Sequence, residues 1–123
     1  MAGAKPDVLL IGSRKPVLMG GLEPAVTLHF WLEAKDQDAF IKEVGGKIRA
    51  FAVAYTNQRV SPEFMQRFPK LEQISSFGVG YDHIDAVVAG RHGIIVTHTP
   101  DVLTEEVADT AVGLLLCTAR EFP

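Results

Sequence analysis

Residues 71–98 read LEQISSFGVGYDHIDAVVAGRHGIIVTH. The stretch opens on LEQISSF, 71–77, a short run with strand character, and runs straight into Gly78-Val79-Gly80. Ile84 to His92 then reads as a short helix with Gly93 at its end, and IIVTH, 94–98, reads as another strand. Strand, helix, strand is the unit of a parallel sheet, because parallel neighbours need a crossover connection.

The same rhythm extends in both directions. Upstream, VLLI (8–11), VTLHFW (26–31) and IRAFAVA (48–54) are three further strand candidates. KPVLMGGLEP, between the first two, reads as loop with one helical turn. Asp36 to Val44 carries Phe40, Ile41 and Val44 at helical spacing and stops at Gly45-Gly46. Ser61-Pro62-Glu63 is a helix start, with Ser as N-cap and Pro at the first helical position; Pro69 ends that helix. Downstream, Thr104 to Arg120 predicts a long helix with Thr104 as N-cap, acids in its first turn and Arg120 in its last. Five strands alternating with helices predict an α/β fold, a flavodoxin-like doubly wound parallel five-stranded sheet. No internal repeat or low-complexity segment is visible.

Composition narrows the function classes. The 123 residues are 47 % hydrophobic and 22 % charged with a net charge of −3, which suits one globular domain with a real core. The basic residues are scattered, so nucleic acid is not an expected partner. The most apolar run, LLLC at 114–117, is far short of a membrane span, and the N-terminus carries no signal-peptide pattern. Cys117 is the single cysteine, so no disulfide framework exists; it is expected to be a small core residue, and a reducing cytoplasm fits.

The last helix has almost no polar face after Asp109-Thr110. A helix apolar all round needs burial all round. A five-strand domain covers one side of it, so the other is expected to meet a partner chain or a second domain. The 123 residues therefore read as a piece of a longer design.

Ligands in open α/β sheets bind beyond the carboxyl ends of the strands. Three loops qualify: Tyr55-Thr56-Asn57, Gly78-Val79-Gly80 and Thr99-Pro100-Asp101. Successive backbone N–H groups can form an anion-binding nest, and glycine lets a ligand come close. Turn glycines and a turn asparagine explain the same residues without a ligand. A metal site at Asp82, His83 and Asp85 is disfavoured, because adjacent residues rarely converge on one ion. Asp82 is expected to cap the following helix, with Asp85 in its first turn. His29, His92 and His98 have no acid or nucleophile at a recognisable spacing and read as surface or structural residues. Gly78-Val79-Gly80-Tyr81-Asp82-His83 lacks the third glycine of a dinucleotide fingerprint. The loops after the first and third strands lack the acids of a receiver domain, and GSRKPVLMGG is only faintly like a flavin phosphate loop.

The long stretch PKLEQISSFGVGYDHIDAVVAGRHGIIVTHTPDVLTEEVADTAVGLLL, 69–116, closely resembles the D-isomer-specific 2-hydroxyacid dehydrogenases, in particular their glyoxylate, hydroxypyruvate and hydroxyphenylpyruvate reductase branch. The resemblance covers nearly the whole chain and is weak before residue 48. It implies a flavodoxin-like substrate-binding domain over residues 1–101 and, over 102–123, an interdomain and dimerisation helix leading into a Rossmann domain. It implies that the N–H groups of Val79 and Gly80 hold the substrate carboxylate, with Gly78 allowing the approach, Asn57 in the same cleft and Phe77 at its edge. Thr104 matches a position near the nicotinamide of an NAD or NADP cofactor. The family's GxGxxG, substrate-binding Arg and Glu–His acid/base pair have no match within 1–123, so no catalytic residue is assigned here and the fragment is expected to be inactive alone. The implied whole is a homodimeric reductase of small 2-keto acids. The alternative is a non-catalytic ligand-binding or dimerisation module of the same fold.

Overall fold

A computed structural model describes residues 3–122. Five parallel strands form one sheet in the order β2-β1-β3-β4-β5, with β1 Asp7–Gly12, β2 Thr27–Phe30, β3 Ile48–Ala54, β4 Gln73–Phe77 and β5 Ile95–Thr97. This is the flavodoxin-like order. β1 is buried at four consecutive positions, Val8 to Ile11, as expected of a strand covered on both faces.

Each crossover helix has a local reason to start where it does. α1 (Pro16–Leu22) has Pro in its first turn and forms two turns where the sequence suggested one. α2 (Gln37–Val44) is capped by Asp36, whose carboxylate accepts from the N–H groups of Asp38 and Ala39. α3 (Pro62–Met65) is capped by Ser61, as its sequence predicts. α4 (Ala86–Arg91) is capped by Asp85, which accepts from Val88 N–H at 3.0 Å. The expected assignment to Asp82 is therefore corrected. The chain between them is held by a separate contact, Ile84 N–H to Tyr81 O at 2.8 Å. Gly93, with φ +74°, follows α4 and lets the chain leave the helix.

One contiguous core joins the sheet to α2, α3 and α4. Leu9, Ile11, Phe51, Val53 and Ile74 from the strands meet Ile41, Val44, Met65 and Ala89 from the helices. Phe51, Phe64, Phe68 and Trp31 form an aromatic cluster inside it, with ring centroids 4.8 to 5.6 Å apart. No α1 residue is buried.

α5 (Thr104–Ala119) departs most from expectation. None of its residues is buried. The domain was expected to cover one side of this helix; it covers neither. Leu114, Leu115 and Leu116 are all more than half exposed. Cys117 is exposed with them, not a core residue. Thr104 makes no capping bond: the residue in the cap position is Leu103. No helix among the described residues is long and apolar enough to cross a membrane.

Candidate functional site

The strand order reverses between β1 and β3, where a doubly wound sheet usually opens a crevice. Here the two strand ends press together. Gly12 has φ +139°, Ser13 N–H donates to Ala54 O at 3.2 Å, and a Cβ on Gly12 would lie 1.7 Å from that oxygen. The opening lies one strand further on, beyond the ends of β3 and β4. A cleft of about 300 Å³ is lined there by residues including Tyr55, Thr56, Asn57, Phe77, Gly78 and Gly80. A second cavity of about 420 Å³ shares Tyr55, Phe77 and Gly78 and adds Val79, Thr99, Val102 and Leu103.

The fold thus brings Asn57, Phe77, Gly78, Val79 and Gly80 together around two adjoining cavities. Thr104 borders neither, although its neighbour Leu103 does. Sequence reading missed Ser76 and His83, which also line the first cleft. Ser76 has no local mark, and His83 stands out only as a metal ligand. His83 is brought in because its carbonyl accepts from Val60 N–H at 2.8 Å, part of a short parallel bridge between Val60 and Ile84. Asp82, His83 and Asp85 do not converge: Asp85 caps α4, and His83 faces the cleft. Among the described residues no group of three His, Cys, Asp or Glu side chains is placed to hold a metal ion.

The glycine loop has a specific hydrogen-bond pattern. Two of its three carbonyls are engaged: Gly78 O accepts from Thr99 N–H at 3.0 Å, and Val79 O lies 2.8 Å from His98 Nδ1. A carbonyl can only accept, so His98 carries its proton on Nδ1. Its ring also packs against Tyr81 at 4.8 Å. The N–H groups of Val79 and Gly80 find no acceptor among the described residues. Neither Gly78 nor Gly80 has a left-handed backbone, and a Cβ on either would meet nothing closer than 3.7 Å. The turn itself does not demand glycine.

The cleft mouth is aromatic. Tyr55, 54 % exposed, packs its ring against Phe77 at 5.6 Å. Lys15 Nζ sits 5.5 Å from the Tyr55 ring. Arg14 lies over the Phe30 ring and reaches Glu33 at 3.4 Å, so the loop after β1 is cationic. His29, read as unpaired from its spacing, meets Asp7 on the neighbouring strand at 2.7 Å. That contact lies on β1 and β2, away from the cleft-lining residues.

Comparison with known proteins turns this geometry into a family assignment. The profile of the D-isomer specific 2-hydroxyacid dehydrogenase catalytic domain matches residues 8–118. The chain belongs to that family. Among the D-isomer specific 2-hydroxyacid dehydrogenases it is 47 % identical over 118 residues to a glyoxylate reductase of Pyrococcus furiosus, covering 94 % of this chain and 34 % of that protein. It is 41 % identical over 92 residues to a hydroxyphenylpyruvate reductase of Plectranthus scutellarioides, covering 75 % of this chain and 29 % of that one. Its fold superposes on an NADPH-dependent glyoxylate/hydroxypyruvate reductase of Sinorhizobium meliloti, solved with NADP and malonate. That match has a TM-score of 0.76 and 38 % identity over 94 % of this chain and 34 % of the other. A 2-hydroxyacid dehydrogenase of Ketogulonicigenium vulgare gives a TM-score of 0.84 at 39 % identity, over 97 % of this chain and 37 % of that one. The chain spans about a third of the length of these relatives.

Proposed function

We propose that this chain is the substrate-binding portion of an NAD(P)-dependent 2-hydroxyacid dehydrogenase that reduces a small 2-keto acid. The observation that carries the reading is the glycine loop, where the Gly78 and Val79 carbonyls are tied back while the N–H groups of Val79 and Gly80 are left without acceptors among the described residues, beside a cleft. Both residues are exposed, so these donors are open to solvent and available to an arriving anion. Two such donors suit a carboxylate, and they neither titrate nor need reorganising when it arrives. Asn57 adds a side-chain amide to the same cleft, and Phe77 bounds it. Together they hold the acid so that its carbonyl carbon is presented for reduction, and orientation of that kind lowers the barrier without chemical participation.

A nicotinamide cofactor would supply the hydride. The residues present fit only its edge. Thr104 has a hydroxyl free of capping bonds, and Val79, Val102 and Leu103 offer an apolar surface nearby. No residue of this chain is assigned to the rest of the dinucleotide or to the proton transfer. In this reading residues 1–101 bind substrate, and 102–123 lead to the cofactor domain and form part of a dimer contact.

A spectrophotometric assay tests the division of labour. Residues 1–123 with glyoxylate or hydroxypyruvate and NADPH or NADH should give no turnover, whereas the product of the extended reading frame should oxidise the cofactor. Turnover by the short chain would overturn it. The exposed apolar helix also favours the second reading, a non-catalytic dimerisation or ligand-binding module. That reading predicts an extended product that associates but never oxidises cofactor.

A further inference from the structure

By its spacing His98 reads as a surface or structural residue, yet the fold gives it one specific bond. Its Nδ1 lies 2.8 Å from Val79 O, and its ring packs against Tyr81 with centroids 4.8 Å apart. Val79 O is one end of a peptide group whose other end is the Gly80 N–H. In a trans peptide the C=O and the N–H point in opposite directions, and no described peptide bond is cis. The group that holds the oxygen therefore aims the donor. The preceding peptide is arranged in the same way. Gly78 O is held by Thr99 N–H at 3.0 Å, and the far end of that peptide is the Val79 N–H. One tie is backbone and comes with the chain path after β5. The other is a side chain, so residue type decides it.

The side-chain tie matters because of the residue that follows it. Turning a peptide over changes ψ of the residue before it and drives φ of the residue after it from negative to positive. Glycine accepts either sign at little cost, and Gly80 here is not on the positive side. Turned over, the Val79–Gly80 peptide would put its carbonyl where the N–H now stands. A carbonyl and a carboxylate are both acceptors, so that orientation offers an acid nothing.

Resting on the carboxylate reading above, we infer that His98 is a positioning residue for the substrate carboxylate: its Nδ1–H holds the Val79–Gly80 peptide in the orientation that presents an N–H to the acid. The bond also draws electron density toward Val79 O, which makes the Gly80 N–H at the far end of the same peptide a stronger donor. His98 acts through that peptide and lines neither cavity.

The test is an amide chemical-shift titration of the 123-residue chain with glycolate, run on the unsubstituted chain and on His98→Ala, His98→Asn and His98→Gln. Asparagine carries its amide group where histidine carries Nδ1, and glutamine carries its own where histidine carries Nε2. Glycolate should move the Val79 and Gly80 signals of the unsubstituted chain. In His98→Ala its affinity should fall about tenfold, the order of one orienting hydrogen bond. The Gly80 response should shrink more than that of Val79, whose peptide Thr99 still holds. His98→Asn should bind within about twofold of the unsubstituted chain, and His98→Gln should not. A ring that merely packs against Tyr81 predicts the opposite order, with the larger glutamine the better substitute. Urea midpoints show whether each variant is folded; if His98→Ala is not, the asparagine and glutamine variants decide alone. Unchanged affinity in a folded His98→Ala would overturn the positioning role and leave the carboxylate loop standing, as would a glutamine variant that binds as well as the asparagine one. Failure of glycolate to move the loop signals of the unsubstituted chain would overturn both.

Discussion

A methyl group at position 78 would touch only Gly80 O and Ser76 Oγ, at 3.7 and 3.9 Å, which is ordinary contact. Gly78→Ala should therefore leave stability within about 0.5 kcal/mol, since no strain or void is created. If the loop holds a carboxylate, the added carbon crowds the anion, and glycolate affinity should fall about tenfold; calorimetry and urea unfolding measure the two effects separately. The glycines were conspicuous in the sequence, yet their composition could not distinguish a turn from a binding loop. That distinction lies in backbone angles and in which carbonyls are occupied, and both depend on His98 and Thr99, which reach back from the end of β5. A second residue-scale expectation concerns the exposed pair Arg49 and Glu72, joined at 2.8 Å. The guanidinium's hydrogen bond, then its charge, holds the Glu72 carboxyl below its ordinary value of 4.5. A lowered carboxyl contributes stability above its unfolded-state value and loses it as pH falls through the folded one. Arg49→Met should return the Glu72 titration, followed by carboxyl NMR, toward the ordinary value. The accompanying loss of stability should be small and salt-sensitive, because the pair is in water.

At the scale of elements, most boundaries were legible because they depend on local chemistry. IRAFAVA is β3 residue for residue, and Ser61-Pro62 and Asp36 start their helices as caps do. The misassigned cap before α4 shows where locality ends. Asp82 and Asp85 are equally good capping residues by type, and the choice falls to the bridge between Val60 and Ile84, residues 24 positions apart in the chain. Asp85→Ala should cost about 1 kcal/mol through loss of the Val88 bond, and Asp82→Ala should stay within about 0.5 kcal/mol. Urea midpoints of the two variants decide it; the reverse order would restore Asp82 as the cap. The closed end of the β1–β3 crevice was equally illegible, since Gly12 meets Ala54 only after the sheet has formed.

For the whole molecule, the apolar pattern of 107–119 announced that something must cover α5, but could not say that the domain itself would cover none of it. Periodicity reports how much surface needs burial, not which body supplies it. As an exposed feature, α5 should drive association: sedimentation at rising concentration should show self-assembly that Leu115→Glu weakens by about tenfold or more, with the urea midpoint of the sheet unchanged. A concentration-independent monomer would count against this. The same detachment has a kinetic side. A 16-residue helix without tertiary support is only marginally formed in water, so its amides should exchange with solvent long before those of β1 and β3. Whatever later covers the helix must first collect its ordering entropy. The exchange rate of that one segment would then report, amide by amide, how completely the missing surface has arrived.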